Sequence, residues 1–98
     1  MYLKIHESYR AVVALCDENL LGKKFEEGKR QLEVRERFFK GDSLNKEEAI
    51  NLLKRQQRED STFNIVGEES VKVAIEIGLI DKNQVAMVGG IPFALVLF

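Results

Sequence analysis

The feature that most constrains the fold of this 98-residue chain is its uncharged C-terminal segment. Gln84–Phe98 reads QVAMVGGIPFALVLF and contains no charged side chain. A chain terminus is usually frayed and polar unless it is tied into the fold. The segment is too short, and too interrupted by glycine and proline, to cross a bilayer as a helix. We therefore expect Val85–Val88 and Phe93–Phe98 to form a hairpin of strands, the last of them buried within a sheet.

Hydrophobic periodicity predicts the strands in the rest of the chain. Apolar and polar residues alternate over Tyr2–Glu7 and again over Leu32–Phe39, which is typical of half-buried strands. The continuous apolar run within Tyr9–Cys16 predicts a central strand that is covered on both faces. A short strand is expected over Thr62–Val66. Between these elements, Asp17–Arg30 is rich in turn-forming residues and is expected to be a loop.

Two helices are expected in the second half of the chain. Asn45 and Glu48 have the spacing of a capping box, which predicts a helix that begins near Asn45. Apolar residues recur at helical spacing between Gly67 and Gly78, and glycine often follows the last residue of a helix. The predicted order is therefore β-β-β-α-β-α-β-β. It corresponds to a single α+β domain over residues 1–98, with a mixed, mostly antiparallel sheet and two helices.

Composition narrows the classes of function. The net charge is −1, whereas proteins whose main task is to bind a phosphate backbone are usually basic overall, although a local basic patch can suffice. Cys16 is the only cysteine, so an intrachain disulfide is excluded, and its apolar neighbours predict a buried side chain. One cysteine and one histidine, His6, cannot form a structural zinc site. We expect no metal, no cofactor and no catalytic residue. The N-terminus does not resemble a secretory signal, so a cytoplasmic location is expected.

A basic segment between Lys23 and Lys40 is the first candidate site. Seven lysines and arginines and four glutamates give this segment a charge of +3. If its predicted strand is correct, Arg35, Arg37 and Phe39 project from one face. Many proteins that bind single-stranded RNA combine basic and aromatic side chains in this way. The alternative is a solvated strand with cross-strand ion pairs.

The second candidate site lies at one end of the predicted sheet. Asp17, Lys23, Asn64 and the Gly89-Gly90 loop all occur in or beside segments that join strands to other elements. Polar residues at strand ends commonly form ligand sites. These five residues are therefore the candidates for binding a small molecule.

Several short segments resemble one protein family. They are Asp17-Glu18, Leu21-Gly22-Lys23, Phe39-x-Gly41, Asn64-Ile65-Val66-Gly67, Gly78-x-Ile80 and Gly90-Ile91-Pro92. With these segments spread over essentially the whole chain, the sequence resembles the archaeal domain-of-unknown-function family 424, short proteins with no assigned activity. The resemblance implies an archaeal, cytosolic protein, and it implies no substrate and no catalytic residue. A histidine often follows the proline in this family, but in this chain Phe93 follows it, so any role of that histidine is not retained.

Three functional hypotheses follow from the sequence. The leading one is a non-enzymatic interaction module that binds RNA or a ribosomal or translation component. The alternative is a small-molecule-binding or enzymatic protein with its site at one end of the sheet. The third is self-association, because an uncovered sheet edge that ends in ALVLF would be prone to pairing with another chain. A homodimer is favoured over a monomer, and no membrane partner is expected.

Overall fold

The computed structural model describes residues 1–97. Its strands are β1 (Tyr2–His6), β2 (Val12–Cys16), β3 (Lys24–Glu27), β4 (Arg30–Glu33), β5 (Asp42–Ser43), β6 (Thr62–Val66), β7 (Ala86–Val88) and β8 (Ile91–Val96). The α-helices are α1 (Glu36–Phe39), α2 (Lys46–Arg58) and α3 (Glu68–Glu76), and short 3-10 helices occur at Glu18–Leu20 and Lys82–Gln84. None of the helices in this part of the chain is both long enough and apolar enough to cross a bilayer.

Six strands form one mixed sheet, in the order β5-β1-β2-β6-β8-β7. The central pair, β2 and β6, is parallel, and every other neighbouring pair in this sheet is antiparallel. β3 and β4 form a separate antiparallel hairpin. The predicted α+β class and mixed, mostly antiparallel sheet are therefore confirmed.

Each face of the large sheet has its own buried core. On the face that we call the helical face, α2 and α3 pack on the strands, and Leu53 and Phe63 are fully buried. On the opposite face, which we call the hairpin face, the β3–β4 hairpin and α1 cover the strands and bury Val34 and Phe39. Val13–Cys16 has no exposed surface. β2 is thus the central strand, covered on both faces, that the sequence predicts.

The helix boundaries agree with the capping residues. The side-chain oxygen of Asn45 accepts a hydrogen bond from the Glu48 backbone N–H at 2.9 Å, and the Glu48 carboxylate accepts from the Asn45 N–H at 3.0 Å. The capping box at the start of α2 is therefore confirmed. Gly78 has a φ of +75° just after α3, the left-handed conformation that ends many helices.

Two expectations about the middle of the chain are wrong. The predicted strand Leu32–Phe39 is divided, because β4 ends at Glu33 and the chain then makes the single helical turn of α1. The predicted loop Asp17–Arg30 contains β3, which pairs with β4 across a tight turn. Apolar residues are too sparse in this hairpin for a strand signal, since Phe25 and Leu32 are its only large apolar side chains.

The C-terminal segment meets the expectation only in part. β8 lies between β6 and β7, and its residues Pro92 and Ala94 are buried. Leu95 and Leu97, however, are 51% and 73% exposed. The pairing with β7 stops at Phe93, so the last residues of β8 pair with β6 alone. Phe98, with which the predicted strand ends, lies outside the described residues.

Candidate functional site

A groove of about 560 Å³ lies on the hairpin face, between α1 and the strands β6 and β8. Its volume falls within the range of about 300–1,000 Å³ that is usual for ligand pockets. The wall is formed by the β4–α1 segment, and the floor is formed by the facing side chains of β6 and β8. The residues that matter most below are Arg35, Arg37 and Phe38 in the wall, and Asn64, Phe93 and Leu95 in the floor. We call this site the hairpin-face groove.

Arg35, Arg37 and Phe39, the predicted nucleic-acid residues, all line the groove, although they belong to α1 and its N-cap rather than to a strand. Their roles differ from the prediction. Phe39 is only 5% exposed and belongs to the core of the hairpin face, whereas Phe38 is half-buried. A helical turn directs neighbouring side chains about 100° apart, so the alternation expected of a strand does not apply to this segment.

Two side chains of β1 hold α1 in place. The ring of His6 stacks on that of Phe38, with 4.6 Å between centroids and 15° between planes. Nε2 of His6 donates a hydrogen bond to the Phe38 carbonyl at 2.8 Å, and Nζ of Lys4 donates to the Arg37 carbonyl at 2.8 Å. Because a carbonyl oxygen can only accept, Nε2 is the ring nitrogen that carries a proton in this contact. The alternation over Tyr2–Glu7 is consistent with Lys4 and His6 on one face of β1, but it does not predict this contact with α1.

The charges around the groove are not balanced. Arg35 donates to the Glu33 carboxylate at 3.2 Å, and this pair is largely exposed. An exposed ion pair stabilises a protein by at most about 1 kcal/mol, so another anion can replace the Glu33 carboxylate at Arg35. The exposed guanidinium of Arg37 has no hydrogen-bond or ion-pair partner within residues 1–97. The groove therefore has an excess of positive charge at its rim.

Asn64 is the polar side chain in the floor of the groove. It is half-buried on β6, and its register neighbours are Ala14 on β2 and Leu95 on β8. Neither neighbour has a polar side-chain atom. The Asn64 amide has no hydrogen-bond partner in the part of the chain that the structure describes. Both its donor and its acceptor are therefore available to a ligand.

Asp17, another predicted ligand residue, caps α3. Its carboxylate accepts hydrogen bonds from the backbone N–H groups of Glu69, at 3.1 Å, and Ser70, at 2.9 Å. It also accepts from the Ser70 hydroxyl at 2.7 Å. Asp17 is 8% exposed, so its oxygens are turned into the protein. Gly67, the N-cap residue of α3, has no side chain, so the Asp17 carboxylate caps the helix in its place.

The other predicted ligand residues lie outside the groove. Lys23 is exposed in the connection to β3. Gly89 and Gly90, with φ of +58° and +80°, form the two-residue turn between β7 and β8. The Gly89 N–H donates to the Glu27 carboxylate at 3.0 Å, which ties this turn to the β3–β4 hairpin. Of the five predicted ligand residues, Asn64 is the one that the fold brings together with Arg35 and Arg37.

Cys16 is not placed to act as a nucleophile. Its side chain is fully buried, and burial, followed by the neighbouring Asp17 charge, raises the pKa of the thiol to about 11. In the register of β1 and β2 it lies opposite Tyr2, while His6 lies at the other end of the pair. The two side chains are therefore too far apart for a Cys-His pair. Residues 1–97 also contain no group of three or more histidine, cysteine or acidic side chains that could hold a metal ion.

The comparisons with known proteins agree with this fold. The model of the family described as "Protein of unknown function (DUF424)" matches residues 6–97. A crystal structure of an uncharacterized conserved protein from Methanopyrus kandleri is similar, with a TM-score of 0.85 and 29% sequence identity. This similarity covers 97% of the present chain and 88% of that chain. Among curated proteins, none matches. The chain belongs to the DUF424 family, as the resemblance in its sequence predicted.

Proposed function

We propose that this protein is a non-enzymatic interaction module that binds single-stranded RNA, free or within a translation component, in the hairpin-face groove. One observation supports this most strongly: two arginines, a half-buried aromatic ring and a side-chain amide with no partner in residues 1–97 converge on one largely apolar groove. Single-strand binders combine a basic surface for the phosphates with aromatic and apolar surfaces for the bases. The groove has both.

Arg35 and Arg37 are suited to contact phosphate groups. The guanidinium of Arg37 is exposed and unpaired within the described chain, and Arg35 is engaged only by the exposed carboxylate of Glu33. A guanidinium matches the geometry of a phosphate through two parallel hydrogen bonds. Phosphate contacts release counterions, so we expect the affinity for RNA to fall as salt is added.

Phe38, Phe93 and Leu95 are suited to contact bases. Phe38 and Phe93 are half-buried and Leu95 is 51% exposed, so each retains surface that a base can cover. Stacking on an aromatic side chain contributes about 1–3 kcal/mol per base in single-strand binders. His6 already stacks on the Phe38 ring, which fixes the orientation of that ring before RNA binds.

A charge-reversal pair tests the proposal. Arg37→Glu places a negative charge at the groove, whereas Arg55→Glu makes the same change on an exposed residue of α2, which packs on the opposite face of the sheet. Binding of fluorescently labelled single-stranded RNA would be followed by anisotropy at several salt concentrations. We expect Arg37→Glu to weaken binding about tenfold or more and to reduce the salt slope by about 0.7. Arg55→Glu should change the affinity by less than about twofold.

Two results would contradict the RNA proposal. One is the absence of salt-sensitive binding by the unmodified protein. The other is an equal loss of affinity in Arg37→Glu and Arg55→Glu, since the effect would then come from net charge rather than from the groove.

A small-molecule site is the second candidate, favoured by the volume and the mainly apolar lining of the same groove. In this case a nucleoside or a similar planar molecule, rather than an RNA strand, would occupy the groove. An enzymatic reaction there would depend on reactive groups of the bound molecule itself. A thermal-shift panel of nucleosides and nucleotides distinguishes the two. Stabilisation by a nucleoside, together with no affinity for RNA, would favour this candidate.

Self-association is supported by the end of β8. Leu95 and Leu97 are exposed apolar side chains, and the residues that follow Phe93 in β8 pair with a strand on one side only. A second copy could cover this edge and form a homodimer. Sedimentation velocity of the unmodified protein and of Leu97→Lys would test this. A monomer at high protein concentration, before any substitution, would contradict it.

A further inference from the structure

We propose that Asn64 makes the hairpin-face groove selective for adenine. This inference rests on the proposed RNA function, and it assigns the base that the groove accepts. It starts from three observations: Asn64 lies in the floor, its amide has no intramolecular partner within residues 1–97, and the neighbouring floor side chains are apolar.

A base that covers Asn64 excludes solvent from the side-chain amide, so the base itself must supply hydrogen bonds to it. A buried polar group without a partner is costly, so a base with a complementary edge is strongly preferred over one without it. The amide of asparagine places one donor beside one acceptor. The matching base must therefore present an acceptor beside a donor at its edge.

Adenine fits this requirement better than the other bases. Its amino group at N6 is flanked by acceptors on both sides, N1 on one edge and N7 on the other, so it can pair with the amide in two orientations. Guanine presents three polar groups, O6, N1–H and N2–H, on its Watson–Crick edge, so pairing with a single amide leaves one of them unpaired. Its other edge presents two acceptors, O6 and N7, a pattern that matches arginine. Cytosine and uracil offer a matching pair on one edge only, and their single rings cover less of the apolar floor.

The position of the arginines is consistent with this orientation. Arg37 is exposed at the rim, whereas Asn64 is half-buried on the floor, opposite Leu95 in the register of β6 and β8. A nucleotide with its phosphate at the rim directs its base toward the floor. Phosphate contacts fix position but do not distinguish bases, so the choice of base depends on Asn64.

The test compares labelled oligoadenylate, oligouridylate and oligocytidylate of about eight nucleotides, within the site sizes of small single-strand binders. Three proteins are used: the unmodified chain, Asn64→Leu, and Asn51→Leu as a matched control on an exposed position of α2. Asn64→Ala provides a second variant should the leucine distort the sheet. An oligonucleotide in which purine replaces adenine removes only the amino group at N6.

We expect the unmodified protein to prefer oligoadenylate by about fivefold or more, as one bidentate amide contact would give. In Asn64→Leu and Asn64→Ala, the affinities for oligoadenylate and oligouridylate should become equal within about twofold, because the loss falls mainly on oligoadenylate. Asn51→Leu should keep the preference, and the purine oligonucleotide should lose it.

The contrary outcomes separate this inference from the proposed function. Salt-sensitive binding of all three oligonucleotides with equal affinity, or a preference for another base, would overturn the role of Asn64 and leave the RNA function standing. An adenine preference that survives both Asn64 variants would also overturn it. Failure of the unmodified protein to bind any RNA would overturn the proposed function and this inference together.

Discussion

At the scale of single residues, the contact between Asp17 and Gly67 shows how the fold starts α3 without a local cap. Gly67 occupies the N-cap position with a φ of +111° and no side chain. A Cβ atom added there would lie 2.3 Å from Cγ of Asp17. Glycine is thus required both for the backbone conformation and for the approach of the carboxylate that caps the helix. Local sequence could not predict this, because the capping residue lies some fifty positions earlier.

Gly67→Ala should therefore destabilise the protein strongly. The substitution combines an unfavourable φ with displacement of the Asp17 carboxylate, and we expect a loss of about 2–4 kcal/mol in the free energy of unfolding. Gly28→Ala is the matched control, since Gly28 also has a positive φ, +62°, but no atom lies within 4 Å of the added Cβ. The control should cost about 1 kcal/mol. Urea denaturation measures both, and equal losses would contradict the proposed role of the contact.

The pKa of Cys16 gives the protein a predicted pH dependence. The thiol has an ordinary value of 9.0, and burial raises the pKa to about 11 in the folded chain. Between these values the unfolded chain loses a proton that the native state keeps, so the stability contributed by the neutral thiol is complete at lower pH and falls as the pH rises.

Cys16→Ala isolates this effect from other groups that titrate at high pH. We expect the unfolding free energy of the unmodified protein, relative to Cys16→Ala, to be constant below pH 9 and to fall by up to about 2–3 kcal/mol at pH 11. Urea denaturation at a series of pH values measures the difference. A difference that stays flat through this interval would show that the thiol ionises equally in both states.

At the scale of elements, α1 is the segment whose structure depends most on tertiary contacts. It has four residues, and its N-cap Arg35 makes no side-chain capping bond. An isolated turn of this length is not stable in water. Its position comes from Lys4 and His6, which bond its last carbonyl groups, and from Phe39, which is buried beneath it.

Removing the β1 contacts should loosen α1 without unfolding the sheet. In the double variant Lys4→Ala and His6→Ala, we expect the amides of Phe39 and Lys40, which close the helical turn, to exchange about tenfold faster. Amides in α2 should be unaffected. Lys46→Ala, which removes a surface ion pair with Glu76, is the control. Unchanged exchange at Phe39 and Lys40, measured by NMR, would show that the aromatic packing alone holds α1.

The elements that sequence analysis predicted well are those specified by their own residues. The capping box of Asn45 and Glu48 and the alternation in Tyr2–Glu7 are local signals, and both elements form nearly as expected. The β3–β4 hairpin was missed because its exposed strands are mostly charged, and their stability comes from packing on the sheet. Gly28 between two apolar residues, Phe25 and Leu32, is the signal that could have revealed it.

At the scale of the whole molecule, the sheet order determines the candidate site. Sequence analysis assigned Arg35 and Arg37 to one candidate site and Asn64 to another. In the structure, all three side chains line the same groove. The two sites join because β6 is adjacent to β8 and because α1 packs beside them, which no local pattern specifies. Conversely, the Gly89-Gly90 turn, a predicted ligand loop, joins β7 to β8 and does not line the groove.

The most direct test of RNA binding in the hairpin-face groove is to map where RNA contacts the protein. Uniformly ¹⁵N-labelled protein would be titrated with a short single-stranded adenylate-rich RNA, and backbone amide shifts would be followed by NMR. We expect the largest changes at residues 35–39, at Asn64 and at residues 93–95, while α2 on the opposite face stays unchanged. Changes centred on α2 and α3, or no changes at concentrations that saturate the anisotropy signal, would contradict binding in this groove.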